Sequence, residues 1–196
     1  MSKRSALLHY LKFLCRLDKP ETQTTAPERA MIKKYAKDAS VATEIGVFEG
    51  FNTAEIASVL APTGILYAID PFTKGKLGIC YGKQICQLLL QRMGTTDRVK
   101  LLEMFSFEAP SHVKEAIDFI FIDGDHSLKG IEQDWADWAP KVKKGGYVAL
   151  HDTSVPAHNP TVKDLGSHQY FERVIKNDPA FQVVDQVDSL NVLQKK

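Results

Sequence analysis

Cysteine is scarce in this sequence. Its 196 residues include only Cys15, Cys80 and Cys86, and no two of them have the Cys-x-x-Cys spacing of a redox or metal motif. An odd number of cysteines without that spacing argues against both a disulfide framework and a structural zinc site. A reducing compartment is the natural setting for such a chain, so we expect a cytoplasmic protein.

Long apolar runs and an excess of one charge are also absent. No stretch approaches the roughly 18 unbroken apolar residues of a membrane-spanning helix. Lysine and arginine total 25 against 24 for aspartate and glutamate, so no global field attracts nucleic acid or an anionic membrane. We therefore expect a small-molecule partner, no nucleic acid and no membrane span.

The first 40 residues differ in pattern from the rest of the chain. Residues 3 to 17 place apolar side chains at helical spacing, with basic side chains on the other faces, which predicts an amphipathic helix. Residues 21 to 25 are polar and indicate a linker or cover, and a second helix is predicted from 27 to about 37. We assign residues 1–40 to an N-terminal helical extension. Its first helix packs on the domain or on a second subunit, which favours a homodimer; the alternative is a membrane-surface helix.

From Val41 onward, short apolar runs alternate with amphipathic stretches, which is typical of repeated strand and helix units. We predict seven strands, at 41–46, 65–70, 99–103, 117–123, 147–151, 181–187 and 190–193. Helices are predicted near 52–60, 83–93, 128–139 and 170–177, with a short one before Ile117. Only Asp188 and Ser189 separate the last two strands, which must form an antiparallel hairpin. The pattern predicts an α/β fold, a Rossmann-like three-layer sandwich with a seven-stranded, mostly parallel sheet, over residues 41–196.

A turn with two glycines follows the first predicted strand. Residues 44–50, Glu-Ile-Gly-Val-Phe-Glu-Gly, lie where an open α/β sheet binds ligands, at the carboxyl end of a strand and before a helix. Asn52 or Thr53 can cap that helix, whose free amide groups would favour a carboxylate. The second strand ends in Asp70, which places an acceptor for ribose hydroxyls at the same edge. The pattern predicts a nucleoside site.

This turn lacks the Gly-x-Gly-x-x-Gly pattern of nicotinamide-dependent enzymes, whose middle glycine lets the backbone touch a pyrophosphate. Phe48 stands at that middle position. Its bulky side chain obstructs a pyrophosphate but tolerates a ligand without phosphates, such as a nucleoside joined to an amino acid. A tight turn without any ligand is the alternative, which Asp70 disfavours.

Titratable side chains follow the fourth and fifth predicted strands. Asp123, Asp125 and His126 follow one strand, and His151 and Asp152 follow the other. If these strands are parallel neighbours, the five groups share one crevice, where oxygen and imidazole donors suit a divalent cation. The alternative is that they cap helices and pair with one another. With an ordinary pKa near 6.5, His126 would accept a proton from a hydroxyl at neutral pH, and Asp125 or Asp152 would orient it.

Together these motifs resemble those of the class I S-adenosylmethionine-dependent methyltransferases. Residues 44–50 match the first motif of that superfamily, Glu-x-Gly-x-x-x-Gly, and residues 69–72, Ile-Asp-Pro-Phe, match the second. By this resemblance, Glu44 and the glycine turn hold the methionine end of the cofactor, and Asp70 holds the ribose. The adenine pocket would be lined by Phe72, Phe105 and Ser106. The implied cofactor-binding residues are Glu44, Gly46, Phe48, Gly50, Asn52, Asp70, Phe72, Ser106 and Asp123.

The stretch from 123 to 152 resembles one branch of this superfamily, the methyltransferase-24-type domain, which is similar to macrolide sugar O-methyltransferases and cephalosporin hydroxylase-like proteins. Related cation-dependent catechol and caffeoyl-type O-methyltransferases carry a metal triad here, which falls on Asp123, His151 and Asp152. Their usual triad is Asp, Asp and Asn, so His151 departs from the pattern. Their catalytic lysine falls on His126, a second departure. The resemblance covers roughly residues 41 to 153.

We therefore predict S-adenosylmethionine-dependent methyl transfer to a hydroxyl of a small molecule. The predicted catalytic residues are His126, Asp125 and His151. A divalent cation such as Mg²⁺ is the candidate second cofactor, with Asp123, His151 and Asp152 as its ligands. Two alternatives are a metal-dependent hydroxylase on the same fold and a non-catalytic module that binds the cofactor.

Overall fold

The chain is organised around one sheet. The computed structural model describes residues 5–75 and 78–196. Its strands are β1 (Val41–Ile45), β2 (Ile65–Ile69), β3 (Val99–Leu102), β4 (Ile117–Ile122), β5 (Val142–Leu150), β6 (Phe181–Val187) and β7 (Leu190–Lys195). Their order in the sheet is β3-β2-β1-β4-β5-β7-β6, and β7 runs antiparallel to both of its neighbours while the other pairs are parallel. The predicted mostly parallel, Rossmann-like sheet with an antiparallel C-terminal hairpin is confirmed.

Helices cover both faces of this sheet. They are α1 (Ala6–Leu14), α2 (Ala26–Ala36), α3 (Phe51–Val59), α4 (Tyr81–Met93), α5 (Leu128–Trp138) and α6 (Gly166–Arg173), with short 3-10 turns at Thr96–Arg98, Ala109–His112, Ala139–Lys141, Pro160–Asp164 and Ile175–Asn177. Buried side chains of α2, α3 and α4 pack on one face, and those of α5 and α6 pack on the other. The result is the predicted three-layer sandwich.

Strand β4 shows why the sheet needs helices on both sides. Its side chains alternate in direction, so Phe119 and Phe121 join the cluster under α2 and α3, while Ile120 and Ile122 join the cluster under α5 and α6. All four are at most 4% exposed. A strand buried on both faces is a continuous apolar run in sequence, which is typical of the centre of a parallel sheet.

Two elements begin four or five residues before their predicted starts. Strand β5 begins at Val142 rather than at 147, because Gly145 adopts a left-handed φ of 79° and the pairing register with β4 shifts beside it. Gly145 and Gly146 therefore form an irregularity within strand β5 and not a turn before it. Helix α6 begins at Gly166 rather than at 170. A Cβ at Gly166 would lie 2.0 Å from the Leu128 nitrogen, so only glycine permits this contact with the start of α5.

Helix α1 lies within the predicted range of 3–17, whose first two residues, 3 and 4, fall outside the described residues. It buries His9 and Phe13 and packs on α4. Its other face carries leucines that are 39% to 51% exposed, namely Leu7, Leu8, Leu11 and Leu14. The homodimer expected from this helix stays a prediction. Across residues 5–75 and 78–196, every helix is too short or too polar to cross a membrane.

The packing around β4 gives a stability prediction. Ile120 is 0% exposed, so Ile120→Ala should lower the free energy of unfolding by about 3 kcal/mol, through lost burial and the cavity left behind. Val184 on β6 is 37% exposed, and Val184→Ala should cost less than about 1 kcal/mol. Urea denaturation of both variants measures the difference. Equal losses would show that the sheet centre is not packed as described.

Candidate functional site

Four strand ends meet at one edge of the sheet. The register places Ile45 opposite both Ile69 and Ile122, and Ile122 opposite Leu150. The residues that follow these strand ends are Gly46, Asp70, Asp123 and His151. Backbone hydrogen bonds continue the pairing past the strands, because the Asp123 amide donates to Ile45 and the His151 amide donates to Ile122. The edge between β1 and β4 is also where the strand order reverses, the usual ligand site of such sheets.

The glycine turn after β1 is shaped by two close contacts. Gly46 has φ 89°, and a Cβ there would lie 2.1 Å from the Asp123 carbonyl oxygen. Gly50 has φ 78°, and a Cβ there would lie 2.5 Å from the Cys86 sulfur. Both positions therefore require glycine, for the left-handed backbone and for the space. The turn can pack beside the end of β4 only with glycine at these two positions.

The predicted side-chain caps of helix α3 are wrong. The helix begins at Phe51 after Gly50, and no side chain caps it. Asn52 instead accepts a hydrogen bond from the Thr24 hydroxyl at 3.0 Å, and Thr53 is buried. The left-handed Gly50 ends the turn in place of a polar cap, which leaves the first amide groups of α3 without a side-chain partner.

Asp70 braces the glycine turn. One carboxylate oxygen accepts from the amides of Val47 and Phe48, at 2.9 and 3.1 Å. The other oxygen accepts from the Phe72 amide at 2.7 Å. Asp70 therefore fixes the ends of β1 and β2 relative to each other, in addition to the ribose contact expected of it, which stays a prediction.

A cavity of about 580 Å³ lies over this edge. Of the predicted site residues, those that line it are Gly46, Phe48, Asn52, Asp70, Ser106, Asp123, Asp125 and His126. Phe105 lines it as well, half exposed and stacked on Phe107 with 5.4 Å between ring centroids. Phe48 is 47% exposed at φ 54°, so the turn holds a large aromatic side chain at the cavity wall in a left-handed conformation.

Three predicted cofactor residues lie outside the cavity lining: Glu44, Gly50 and Phe72. Phe72 is 2% exposed, and the Lys83 ammonium lies 5.7 Å from its ring centroid. Glu44 is 0% exposed, and neither of its carboxylate oxygens has a hydrogen-bond partner. Burial, together with the nearby charges of Asp123 and Asp70, raises the pKa of Glu44 well above its ordinary value. The surroundings of Glu44, two residues before Gly46, therefore favour its protonated form, although the neighbouring Thr53 hydroxyl opposes the shift.

Two carboxylates and two imidazoles cluster beyond the ends of β4 and β5, and two of them, Asp123 and His126, line the cavity. The two rings share both acids: His126 Nε2 lies 3.2 Å from Asp123 Oδ1, and His126 Nδ1 lies 3.2 Å from Asp152 Oδ2. His151 Nδ1 lies 2.9 Å from the same Asp123 oxygen and 3.7 Å from Asp152 Oδ2. We call these four residues the acid–histidine cluster. The structure thus brings together the residues that the sequence placed on two separate strands.

The cluster changes the protonation of its own members. Contacts with Asp123 and then Asp152 raise the pKa of His126 to about 9. Burial opposes the charged form of His151, but the charge of Asp123 and a contact with Glu28 outweigh it and raise its pKa to about 10. The ordinary pKa near 6.5 therefore does not hold for His126 when no ligand is bound to the cluster, because two carboxylates stabilise the imidazolium.

Asp125 does not orient His126. Its carboxylate accepts from the amide and the hydroxyl of Ser127, both at 2.9 Å, and so braces the start of α5. Asp152 is the acid that contacts His126, while Asp125 lies in the cavity wall. Of the two alternatives for the orienting acid, the structure supports Asp152.

The donor atoms of the cluster fit a metal ion. Within the part of the chain that the structure describes, Asp123, His126 and His151 each offer one ligand atom, and these atoms lie within 4.8 Å of one another. His151 Nδ1 is buried and makes no hydrogen bond of proper geometry. A mixed nitrogen and oxygen set suits a divalent transition ion. Asp152 of the predicted triad borders the same space, and His126 is an additional candidate ligand.

The N-terminal segment contributes residues that the sequence did not indicate. Glu21, Thr22 and Gln23 line the large cavity. A second cavity of about 150 Å³ is lined by Gln23, Thr25, Glu28, His151, Asp152, Pro156, His158, Asn159 and Ser189. The pattern Thr25-x-x-Glu28 is a helix-capping signature, and both capping hydrogen bonds are present. No comparable sequence pattern predicts the contact between Glu28 and His151.

Comparison with known proteins places the chain. A family model described as a methyltransferase domain, methyltransferase-24, matches residues 43–153, more than half of the chain. The uncharacterized protein y4gI of Sinorhizobium fredii is 23% identical over 142 residues, which cover 70% of this chain and 15% of that protein. The chain therefore spans about 15% of the length of the curated relative that it matches.

Several solved structures share the fold. Cofactor-bound Rv0187 from MTB has a TM-score of 0.72 at 15% identity, over 97% of this chain and 89% of that one. The O-methyltransferase TomG of Streptomyces achromogenes, in complex with SAM, has a TM-score of 0.68 at 15% identity, over 100% and 91%. The O-methyltransferase of Bacillus cereus, in complex with SAH, has a TM-score of 0.65 at 18% identity, over 100% and 93%.

Asp134 on α5, a buried acid beside Ser106 of the cavity lining, gives a pH prediction. It is 2% exposed; burial raises its pKa from 3.8 to about 6, although a hydrogen bond with Ser106 opposes the shift. The folded state therefore holds this proton more tightly than the unfolded state, so stability falls as pH rises from about 4 to 6 and stays lower above that. Asp134→Asn should raise the free energy of unfolding at pH 7 by on the order of 3 kcal/mol and leave it nearly unchanged at pH 3.5. Urea denaturation at both pH values measures this, and a gain independent of pH would contradict it.

Proposed function

Because the chain belongs to the methyltransferase-24 family of class I methyltransferases, we propose that it transfers the methyl group of S-adenosylmethionine to a hydroxyl of a small molecule. One observation carries this proposal. A single cavity joins Asp70 and the glycine turn on one side to Asp123 and His126 on the other. Donor and acceptor can therefore meet in one cavity. The O-methyltransferases TomG and that of Bacillus cereus, described with SAM and SAH, share the fold.

The charge of the cavity supports a sulfonium cofactor. Four carboxylates line it, those of Glu21, Asp70, Asp123 and Asp125, and no lysine or arginine is found among the described residues of its lining. An acidic wall attracts a positively charged sulfonium and disfavours a pyrophosphate. A volume of about 580 Å³ lies in the range of small-molecule sites. In this proposal Asp70 accepts from the ribose hydroxyls, and the amide groups that begin α3 face the methionine carboxylate.

Methyl transfer is an in-line displacement. An oxygen lone pair of the acceptor forms the new bond to the methyl carbon, the carbon–sulfur bond breaks, and its electron pair stays on sulfur to give S-adenosylhomocysteine. The acceptor hydroxyl must also lose its proton. The protein therefore has two tasks, to hold the two reactants in line and to take that proton.

His126 is the proposed proton acceptor, and the cluster sets a condition on it. With both Asp123 and Asp152 beside it, the pKa of His126 is about 9, so the ring already carries a proton at neutral pH. It can accept a proton only when the charge of these carboxylates is engaged by the acceptor or by a cation. Asp152 then orients the ring through Nδ1 and leaves Nε2 toward Asp123 and the cavity.

A divalent cation fits this role. Asp123, His151 and Asp152 would hold it, so that His126 stays available to accept the proton. When bound, such an ion supplies positive charge that acidifies a coordinated hydroxyl. The orientation of His151 Nδ1 toward Asp123 without a hydrogen bond of proper geometry supports this site.

A second function is favoured by the ligand set itself. Two imidazoles and one carboxylate, here His126, His151 and Asp123, are the donors of non-haem iron oxygenases. A metal-dependent hydroxylase on the same fold is therefore the alternative. Mass spectrometry and metal analysis of the purified protein separate the two: co-purified S-adenosyl ligand supports methyl transfer, and iron without that ligand supports the hydroxylase.

The cofactor site gives a binding prediction. Titration calorimetry should show binding of S-adenosylhomocysteine and none of NAD. Asp70→Asn should weaken the binding about tenfold to a hundredfold, because an amide cannot accept as a charged oxygen does from the turn and the ribose. Asp97→Asn, in an exposed 3-10 turn outside the cavity, is the matched control and should bind as the wild type does. Tight binding of NAD alone would overturn the proposal.

Turnover tests the acid–histidine cluster. With labelled S-adenosylmethionine and a panel of phenols and aliphatic alcohols, His126→Ala should lower the rate of methyl transfer by about 100-fold or more and keep the affinity for S-adenosylhomocysteine. His112→Ala, at an exposed position, should leave both unchanged. If His126→Ala retains full turnover, the ring is not the proton acceptor.

A further inference from the structure

Glu28 on α2 is a buried carboxylate that the proposed mechanism does not use. It is 1% exposed, although it belongs to the N-terminal extension and lies outside the region matched by the family model, residues 43–153. It also lines the smaller cavity, together with His151 and Asp152 of the acid–histidine cluster. A buried acid in that place calls for a partner, because an unpaired buried charge is costly.

Three hydrogen bonds fix the Glu28 carboxylate. Oε1 accepts from the amide and the hydroxyl of Ser189, at 2.9 and 2.7 Å, and Oε2 accepts from the Thr25 amide at 2.7 Å. Ser189 belongs to the turn between β6 and β7, and its carbonyl accepts from the amides of Thr153 and Ser154 after β5. Glu28 is therefore held by a frame that includes the chain immediately beyond His151.

The remaining contact of Glu28 is with the His151 ring. Oε2 lies 3.4 Å from His151 Nε2, while the opposite ring nitrogen, Nδ1, lies 2.9 Å from Asp123 Oδ1. The His151 side chain is only 4% exposed. The two ends of the ring are thus placed between two carboxylates from different parts of the fold.

We propose that Glu28 is a positioning residue that fixes the orientation of the His151 ring, so that Nδ1 faces the acid–histidine cluster. The proposal concerns the site described above and rests on its proposed function for the consequence in catalysis. An imidazole can turn about its bond to Cβ, and a polar partner on each side selects one orientation. Without Glu28, Nε2 would be a buried polar atom without a partner, and a turned ring would move Nδ1 away from Asp123.

The geometry also separates this role from helix capping. The contacts with Thr25 and Ser189 stabilise the start of α2 and the hairpin turn, and neither residue approaches the His151 ring within the contacts of the described chain. Ser189→Ala removes one hydrogen bond to Glu28 and a longer one, 3.4 Å, that the Ser189 hydroxyl accepts from the Asp152 amide, and it leaves the contact between Glu28 and His151. It is therefore the matched control for a merely structural effect.

The test is the NMR signal of the imidazole nitrogens. Long-range ¹H–¹⁵N spectra of the full chain at one fixed pH resolve the histidines, and a His151→Gln variant identifies the His151 signals. Glu28→Gln should shift both His151 nitrogen resonances and leave those of the exposed His112 unchanged. Ser189→Ala should lower the melting temperature but keep the His151 resonances at their wild-type positions.

Two results would overturn the proposal. One is a folded Glu28→Gln variant with unchanged His151 resonances. The other is an equal shift in Glu28→Gln and Ser189→Ala, which would assign the effect to the frame alone. If Glu28→Gln does not fold, Glu28→Asp keeps the charge, withdraws the carboxylate from the ring, and is judged by the same two readings. None of these spectra depends on methyl transfer, so a failed proposed function would leave the result valid.

Catalysis provides a second reading once an acceptor has been found. Glu28→Gln should lower kcat about tenfold and leave the KM for S-adenosylmethionine unchanged. Losses of this size are typical when a residue that orients a site histidine is removed. In a His151→Ala background, the same substitution should have no further effect, because the ring through which it acts is gone. An equal loss in both backgrounds would show that Glu28 does not act through His151.

Discussion

The crevice depends on one close approach, between the glycine turn after β1 and the end of β4. A side chain at Gly46 would collide with the Asp123 carbonyl oxygen, so the two strand ends lie closer than any other residue would allow. This contact places the turn, which faces the proposed cofactor, directly beside Asp123, which faces the proposed acceptor. Asp70 then holds the turn in place through two of its amides. The chemistry on either side of the cavity follows from that approach.

Electrostatics ties the acceptor side into one unit. Asp123 is largely shielded from solvent, yet the charge of His151 and the hydrogen bond with His126 keep its pKa below the ordinary value. The carboxylates in turn stabilise the protonated form of both histidines, so the protonation of each group depends on that of the others. An acceptor or cation that enters must therefore replace one of the ion pairs between these carboxylates and imidazoles. In the proposed mechanism, the cluster becomes a proton acceptor only when a ligand engages one of its carboxylates.

The N-terminal extension is a wall of the site rather than an appendage. Gln23 lines both cavities, and the Thr24 hydroxyl donates to Asn52 beside the glycine turn. His9 of α1 lies 3.0 Å from Glu49 within that turn, and the Glu21 amide donates to the same carboxylate. These contacts join segments far apart in sequence, and they give the extension a direct hold on the turn. The boundary that composition suggested near residue 40 therefore does not divide the site.

The sequence by itself determined the strand and helix order and the motifs at the strand ends, because apolar periodicity and glycine spacing are local properties of the chain. It indicated Asp70, Asp123 and His126 as residues of one sheet edge, since parallel strands end on the same side. Only the tertiary structure decided which groups touch: Asp152 and not Asp125 meets His126, Glu44 is buried away from the cavity, and Glu28 reaches His151. Those contacts depend on strand register, side-chain direction and burial between segments that are far apart in the chain. No residue spacing in the sequence reports any of these features.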